Sequence, residues 1–141
     1  MDPRDFHHLA SRLVNENNPA SLRTAISRAY YATFNVGAEI LKNMGFTIPV
    51  GPSAHGEMRN YLSNSGNKEV SIVASQIASL HRNRINADYR LDNQTVENPK
   101  TALAIVKQAE KMILALDSEC SGHGRTKIIS EIEKYKKLTN Q

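Results

Sequence analysis

Apolar residues recur at intervals of three and four along most of the chain, and nowhere do they alternate with polar ones as a half-buried strand requires. Asp2 before Pro3 offers a side-chain cap and a proline suited to the first helical turn. A helix is therefore expected from there, with Phe6, Leu9 and Leu13 on one face. Asn17-Asn18-Pro19 interrupts it, and Asn18-Pro19 repeats the start signal. The next helix is expected to reach about Met44, because Leu22, Ile26, Tyr30, Thr33, Gly37, Ile40 and Met44 keep one helical register. Such a rod would be roughly 37 Å long, and Gly45 stands where a glycine closes a helix.

Pro49, Pro52, Gly45 and Gly51 predict irregular chain up to Ser53. Ser53 is a candidate cap for a short helix over His55 to Leu62, closed by the polar run Ser63 to Asn67. A second long helix is expected from about Lys68, with Val70, Val73, Ile77, Leu80, Arg84, Ala87 and Leu91 in one stripe. Asp92 to Asn98 reads as a turn, and Asn98-Pro99 is a third start signal. It leads a helix carrying Ala102, Val106, Ala109, Ile113 and Leu116, ended by Ser121-Gly122-His123-Gly124. A last helix holds Ile128, Ile132 and Tyr135 before a fraying tail. The expected fold class is all-α, an up-and-down bundle of five or six helices. One domain is expected over 1–141, with its core at about 5–120 and an extra helix at 125–138.

Composition adds bounds. A chain of 141 residues suits one core, and with three Phe and no Trp that core must rest on Leu, Ile, Val, Ala and Tyr. Eighteen Lys plus Arg against fourteen Asp plus Glu leave a net charge of +4, which fits an anionic partner without demanding one. The single cysteine, Cys120, excludes an internal disulfide framework and suits a reducing compartment. The start, MDPRDFHHL, lacks a basic leader, and no run approaches the ~20 apolar residues of a membrane span. A small, soluble, cytoplasmic domain with no membrane partner is expected.

One position breaks the pattern. Arg84 occupies the apolar stripe, where an unpaired guanidinium costs several kcal/mol. Asp88, four residues on, shares its face. The pair is either a structural ion pair at the bundle end or an anion-binding arginine oriented by a carboxylate. The neighbourhood is dense in polar groups. Arg82, Asn86 and Tyr89 share one face, and His81, Arg84 and Asp88 a neighbouring one. Both faces being polar at one level suggests a site.

The run Ser27-Arg28-Ala29-Tyr30-Tyr31-Ala32-Thr33-Phe34 resembles the S-R-x-Y-Y-A-x-F run of the HEPN domain superfamily. Pro52-Ser53-Ala54-His55-Gly56-Glu57 resembles the histidine-bearing start of that family's short helix. Leu80 to Tyr89, ending Arg84-Ile85-Asn86-Ala87-Asp88-Tyr89, is similar to the R-x-x-A-D-Y signature of small stand-alone members. The resemblance covers about residues 5 to 120. It implies a helical bundle that dimerises through its long helices, often an RNA-cleaving toxin or defence protein paired with a nucleotidyltransferase antitoxin. With such a partner, Tyr89 would be a candidate for nucleotide modification. Active members carry R-x(4–6)-H, and two copies form one metal-independent ribonuclease site. There the arginine stabilises charge on the scissile phosphate and the histidine moves a proton.

The chain departs from that pattern. Counting from Arg82 puts Ala87 at the histidine position, and counting from Arg84 puts Tyr89 there. Alanine carries no titratable proton, and a tyrosine is a poor base at neutral pH. His81 precedes the motif.

Other signals are weaker. His7 and His8 are adjacent and diverge on a helix, while His55, His81 and His123 lie in separate segments, so no metal and no cofactor are expected. No G-x-S-x-G elbow, Walker loop or dinucleotide fingerprint occurs. Arg28, Asn35 and Glu39 line one side of the first long helix, as a solvated stripe or, for Arg28 and Asn35, as a contribution to an anion pocket. Lys134, Lys136 and Lys137 read as surface charge. The expected site for RNA or another anion comprises Arg82, Arg84, Asn86, Asp88, Tyr89, Arg28 and Asn35, with Arg84, Tyr89 and His81 as catalytic candidates. The expected protein is a homodimeric HEPN-like module that binds nucleic acid or nucleotide, one partner of a toxin–antitoxin or defence system. An active ribonuclease and a non-enzymatic interaction protein are the alternatives.

Overall fold

Each of the three Asx-Pro signals starts a helix in the computed structural model, which describes residues 1–139; the last two positions of the expected domain lie outside the described residues. Oδ1 of Asp2 accepts from the Arg4 amide at 2.9 Å. Asn18 does the same for Ser21, and Asn98 for Lys100 and Thr101. The elements are α1 (Arg4–Leu13), α2 (Pro19–Asn43), α3 (Ala54–Ser63), α4 (Lys68–Tyr89), a 3-10 turn (Gln94–Glu97), α5 (Pro99–Ser121) and α6 (Arg125–Thr139). These six α-helices pack as a bundle, and no strand occurs among the described residues. Among the described residues no helix is long and apolar enough to cross a membrane.

α2 is the central rod, touching α1, α3, α4 and α5. It closes as the glycine predicts. Gly45 takes φ +98, the Phe46 amide donates to Leu41 O at 2.8 Å, and the Gly45 amide donates to Lys42 O at 3.0 Å. Leu41 and Phe46 are both buried beside this paired closure. Leu22, Ile26, Tyr30 and Leu41 of α2 meet Ile77 and Leu80 of α4, Val106 and Leu116 of α5, and Met58 of α3 in one core. Gly37 permits a tight α2–α3 approach, since a β-carbon there would stand 3.0 Å from Met58 Sδ.

Three local expectations are corrected. α1 turns His7, Ala10 and Val14 inward, while Phe6, Leu9 and Leu13 are half-buried. Polar anchors to α5 set that roll: His7 Nε2–H donates to Val106 O at 2.9 Å, and Arg4 pairs with Asp117. Leu91 leaves the stripe because α4 ends at Tyr89, and it is 72% exposed. Ser53 makes no capping hydrogen bond to α3.

What stops α4 there is Arg23, a buried residue beside Leu22 on α2. Its Nη1 donates to the carbonyls of Asn86, Ala87 and Arg90, and its Nη2 to those of Leu91 and Asn93. Its Nε donates to Glu97 Oε2 at 2.8 Å. One guanidinium thus caps the C-terminal carbonyls of α4, fixes the following turn and neutralises itself against Glu97. Truncation would strand a half-buried carboxylate and several carbonyls. Arg23→Ala is expected to cost about 3 kcal/mol, lowering the thermal midpoint by roughly 10 °C. Arg82→Ala at an exposed position should shift it by no more than about 2 °C in the same calorimetric comparison.

Candidate functional site

Arg84 faces α2 from the last turns of α4 and is 7% exposed. Its guanidinium carbon lies 5.5 Å from the ring centre of Tyr30, 5.3 Å from that of Tyr31 and 5.7 Å from that of Tyr89. Such cation–π contacts contribute about 0.5–2 kcal/mol each. Three together offset much of the several kcal/mol that burying the charge costs. They satisfy the charge and leave the N–H groups unanswered. Nε is buried with no hydrogen-bond partner, and Asp88 Oδ2 stands 3.7 Å from Nη1, beyond hydrogen-bond reach.

Asp88 is instead turned toward α2, where Ser27 Oγ donates to its Oδ2 at 3.1 Å. Arg28 approaches the same hydroxyl at 3.5 Å and lies 4.9 Å from the Tyr31 ring centre. The Arg84–Asp88 pair is thus loose, and Arg28 joins the cluster through Ser27.

Two imidazoles flank this arginine. His81, three residues before Arg84, stacks on His55 of α3 with centroids 4.9 Å apart and planes 11° apart. Tyr30 packs against both rings, and its hydroxyl lies 2.5 Å from His55 Nδ1. Phe34 closes over His55 at 4.6 Å. Arg59, four residues after His55 on α3, has its Nη1 buried without a hydrogen-bond partner. Burial, then His55, then Arg84 and Arg59, push the pKa of His81 down to about 4. Burial first, then the same two arginines, lowers His55. Burial raises the Tyr30 phenol to about 12. The Tyr30 hydroxyl therefore stays protonated, hydrogen-bonded to a neutral His55. The result is two cations with unused donors beside two uncharged imidazoles, an arrangement that favours an anion.

The structure brings together Arg84, His81, Asp88, Tyr89 and Arg28. Tyr89 is 68% exposed, so it covers the arginine from the solvent side. Arg82 is exposed and donates to Ser79 Oγ at 3.0 Å, away from the cluster. Asn86 gives its backbone carbonyl to Arg23. Asn35 donates through Nδ2 to Tyr31 O and opens onto a groove on the outer face of α2. Sequence reasoning missed Tyr30, His55, Arg59 and Ser27 as members of the site. The spacing of His55 and Arg59, one turn apart on one short helix, was the local signal for those two. Among the described residues no three His, Cys, Asp or Glu side chains converge as metal ligands.

His81 has a folded-state pKa below its unfolded value of ~6.5, so protons bind the unfolded chain first as pH falls. Its contribution is complete above pH ~6.5 and is lost on the way down to about 4. Urea midpoints measured between pH 7 and 5 should fall more steeply for the wild type than for His81→Gln. Equal slopes would contradict a neutral, half-buried His81. Scans against family models, curated proteins and solved structures find no match for this chain.

Proposed function

We propose that the chain is a HEPN-like phosphate-binding module for RNA or nucleotides, acting as a homodimer within a toxin–antitoxin or defence pair. The observation that carries this reading is Arg84, a buried guanidinium with an orphan Nε and a carboxylate held out of bonding range. A residue kept only for packing specificity would be expected to use its donors within the bundle. Arg59 supplies a second unanswered donor, and neutral His55 and His81 add no repulsion to a doubly charged phosphate.

The dimer and the partner are supported less directly. Ile72 on α4 and Leu103 and Leu114 on α5 are exposed apolar side chains on the long helices that such bundles pair through. The nucleotidyltransferase partner rests on the sequence resemblance.

A second reading has an observation of its own. The imidazole absent from the α4 motif is replaced in space by His55 and His81, both beside Arg84, so a metal-independent ribonuclease is the alternative. One of the two neutral rings would then take the ribose 2′-hydroxyl proton as the 2′-oxygen attacks phosphorus, the P–O5′ bond would break to leave a 2′,3′-cyclic phosphate, and the departing 5′-oxygen would take that proton back, the arginines holding the phosphate.

Titrating labelled single-stranded RNA into the wild-type protein should give a dissociation constant that rises steeply with salt. Arg84→Gln should weaken binding about 10-fold or more, the loss expected for one charge-assisted phosphate contact. Arg82→Gln should change it by less than about 3-fold. Absence of binding at low salt would refute the module. EDTA-resistant cleavage lost in both Arg84→Gln and His55→Gln would replace it with the ribonuclease.

A further inference from the structure

Among the described residues Asp88 is the carboxylate that Arg84 meets, and it is held off the guanidinium it could neutralise. Its Oδ2 stands 3.7 Å from Arg84 Nη1 at an i, i+4 spacing on α4. A direct pair at that spacing needs an N···O distance of about 2.8 Å, so the two side chains lack contact by less than ~1 Å. The backbone does not supply that closure. Arg23 holds the carbonyls of Asn86 and Ala87 at 3.0 Å each, which fixes the last turn of α4. The Asp88 side-chain torsions are what remain, and Ser27 sets them. Its Oγ donates to Oδ2 at 3.1 Å from α2, while Arg28 Nη2 donates to the same Oγ at 3.5 Å.

We infer that Asp88 is an internal competitor for the anion that Arg84 binds, and that Ser27 is the positioning residue that keeps this competitor off the guanidinium. The inference rests on the phosphate-binding reading and adds what sets the affinity of that site. A carboxylate and a phosphate oxygen seek the same N–H groups, and an arginine fork engaged by one is closed to the other. The Arg84 Nε, buried and without an acceptor, is the atom that gains from either.

The neighbouring groups show why the open arrangement holds. A serine hydroxyl has one hydrogen, and with its oxygen facing Arg28 that hydrogen goes to Asp88. Arg28 and Arg84 both lie against the Tyr31 ring, 4.9 and 5.3 Å from its centre. The carboxylate is therefore linked through Ser27 to the half-buried cation, and the buried one stays open. A carboxylate that oriented Arg84 for its ligand would stand within hydrogen-bond distance of it, and 3.7 Å does not. Among the described residues the Ser27 hydroxyl is the one hydrogen-bond donor to Asp88. Without that hydroxyl, closing onto Arg84 is the nearest way for the carboxylate to regain a donor.

The test is a double-mutant cycle on the full chain. It reads dissociation constants at low salt for a labelled single-stranded RNA oligonucleotide and for inorganic pyrophosphate. Asp88→Asn removes the competitor and should tighten both about 3-fold. Ser27→Ala should weaken both about 10-fold while Asp88 is present, because the ligand must then displace a charge-assisted hydrogen bond. In the Asp88→Asn background the same serine change should alter binding by less than about 2-fold. The Arg84 Nε–H resonance should shift on Ser27→Ala and keep its place in the double variant. Weaker binding by Asp88→Asn would make the carboxylate a support for the site and overturn the competitor. An equal loss on Ser27→Ala in both backgrounds would make Ser27 merely structural and overturn its role. Asp88 is half-buried, so the sign of Asp88→Asn decides the matter if Ser27→Ala does not fold. Wild-type binding in any of these cases leaves the phosphate reading standing, and no wild-type binding of either probe would overturn both.

Discussion

α2 and α4 exchange arginines, and the rest of the architecture follows from what each guanidinium meets. Arg23 leaves α2 and finds five carbonyls and a carboxylate at the end of α4. Arg84 leaves α4 and finds the faces of two α2 tyrosines. Both are buried cations in the same seam, yet they are solved in opposite ways. The first has its hydrogen-bonding capacity consumed, which makes it a member of the scaffold. The second has its charge soothed by aromatic rings and its donors left idle, which makes it available. Because an idle buried donor is a standing cost of about 1–3 kcal/mol, a fold that keeps one beside a cleft is poised to gain when an acceptor arrives.

The same seam governs the imidazoles. His55 and His81 could repel an incoming anion in no state and attract it strongly when charged, but the two arginines and their own burial hold them neutral. An anion settling between Arg59 and Arg84 would relieve that pressure and let the rings take up protons. The charge of such an anion and the protonation of the pair would therefore be linked.

Much of the fold was legible because its signals are local. Asp2-Pro3, Asn18-Pro19 and Asn98-Pro99 each carry their capping oxygen and preset φ within two residues, and Gly45 needs only its own backbone freedom. Arg84 was visible as a break in a stripe. The α1 face was misread because its orientation is set by His7 and Arg4 reaching α5, a hundred residues away, rather than by its leucines. Arg23 hid for the same reason: next to Leu22, with no partner in sequence range, it reads as surface. His55, Arg59 and Tyr30 each belong to ordinary helices, and their association exists only once α2, α3 and α4 are packed.

That packing depends on an atom that is missing. Tyr30 and Gly37 are two turns apart on one side of α2, and His55 and Met58 are one turn apart on α3. With Met58 sulfur 3.0 Å from where a β-carbon at position 37 would stand, any side chain there would press on the Met58 thioether. The bare backbone at Gly37 leaves that thioether its place between α2 and α3. A single methyl group inserted there would be felt first by this flexible side chain, one turn along α3 from His55.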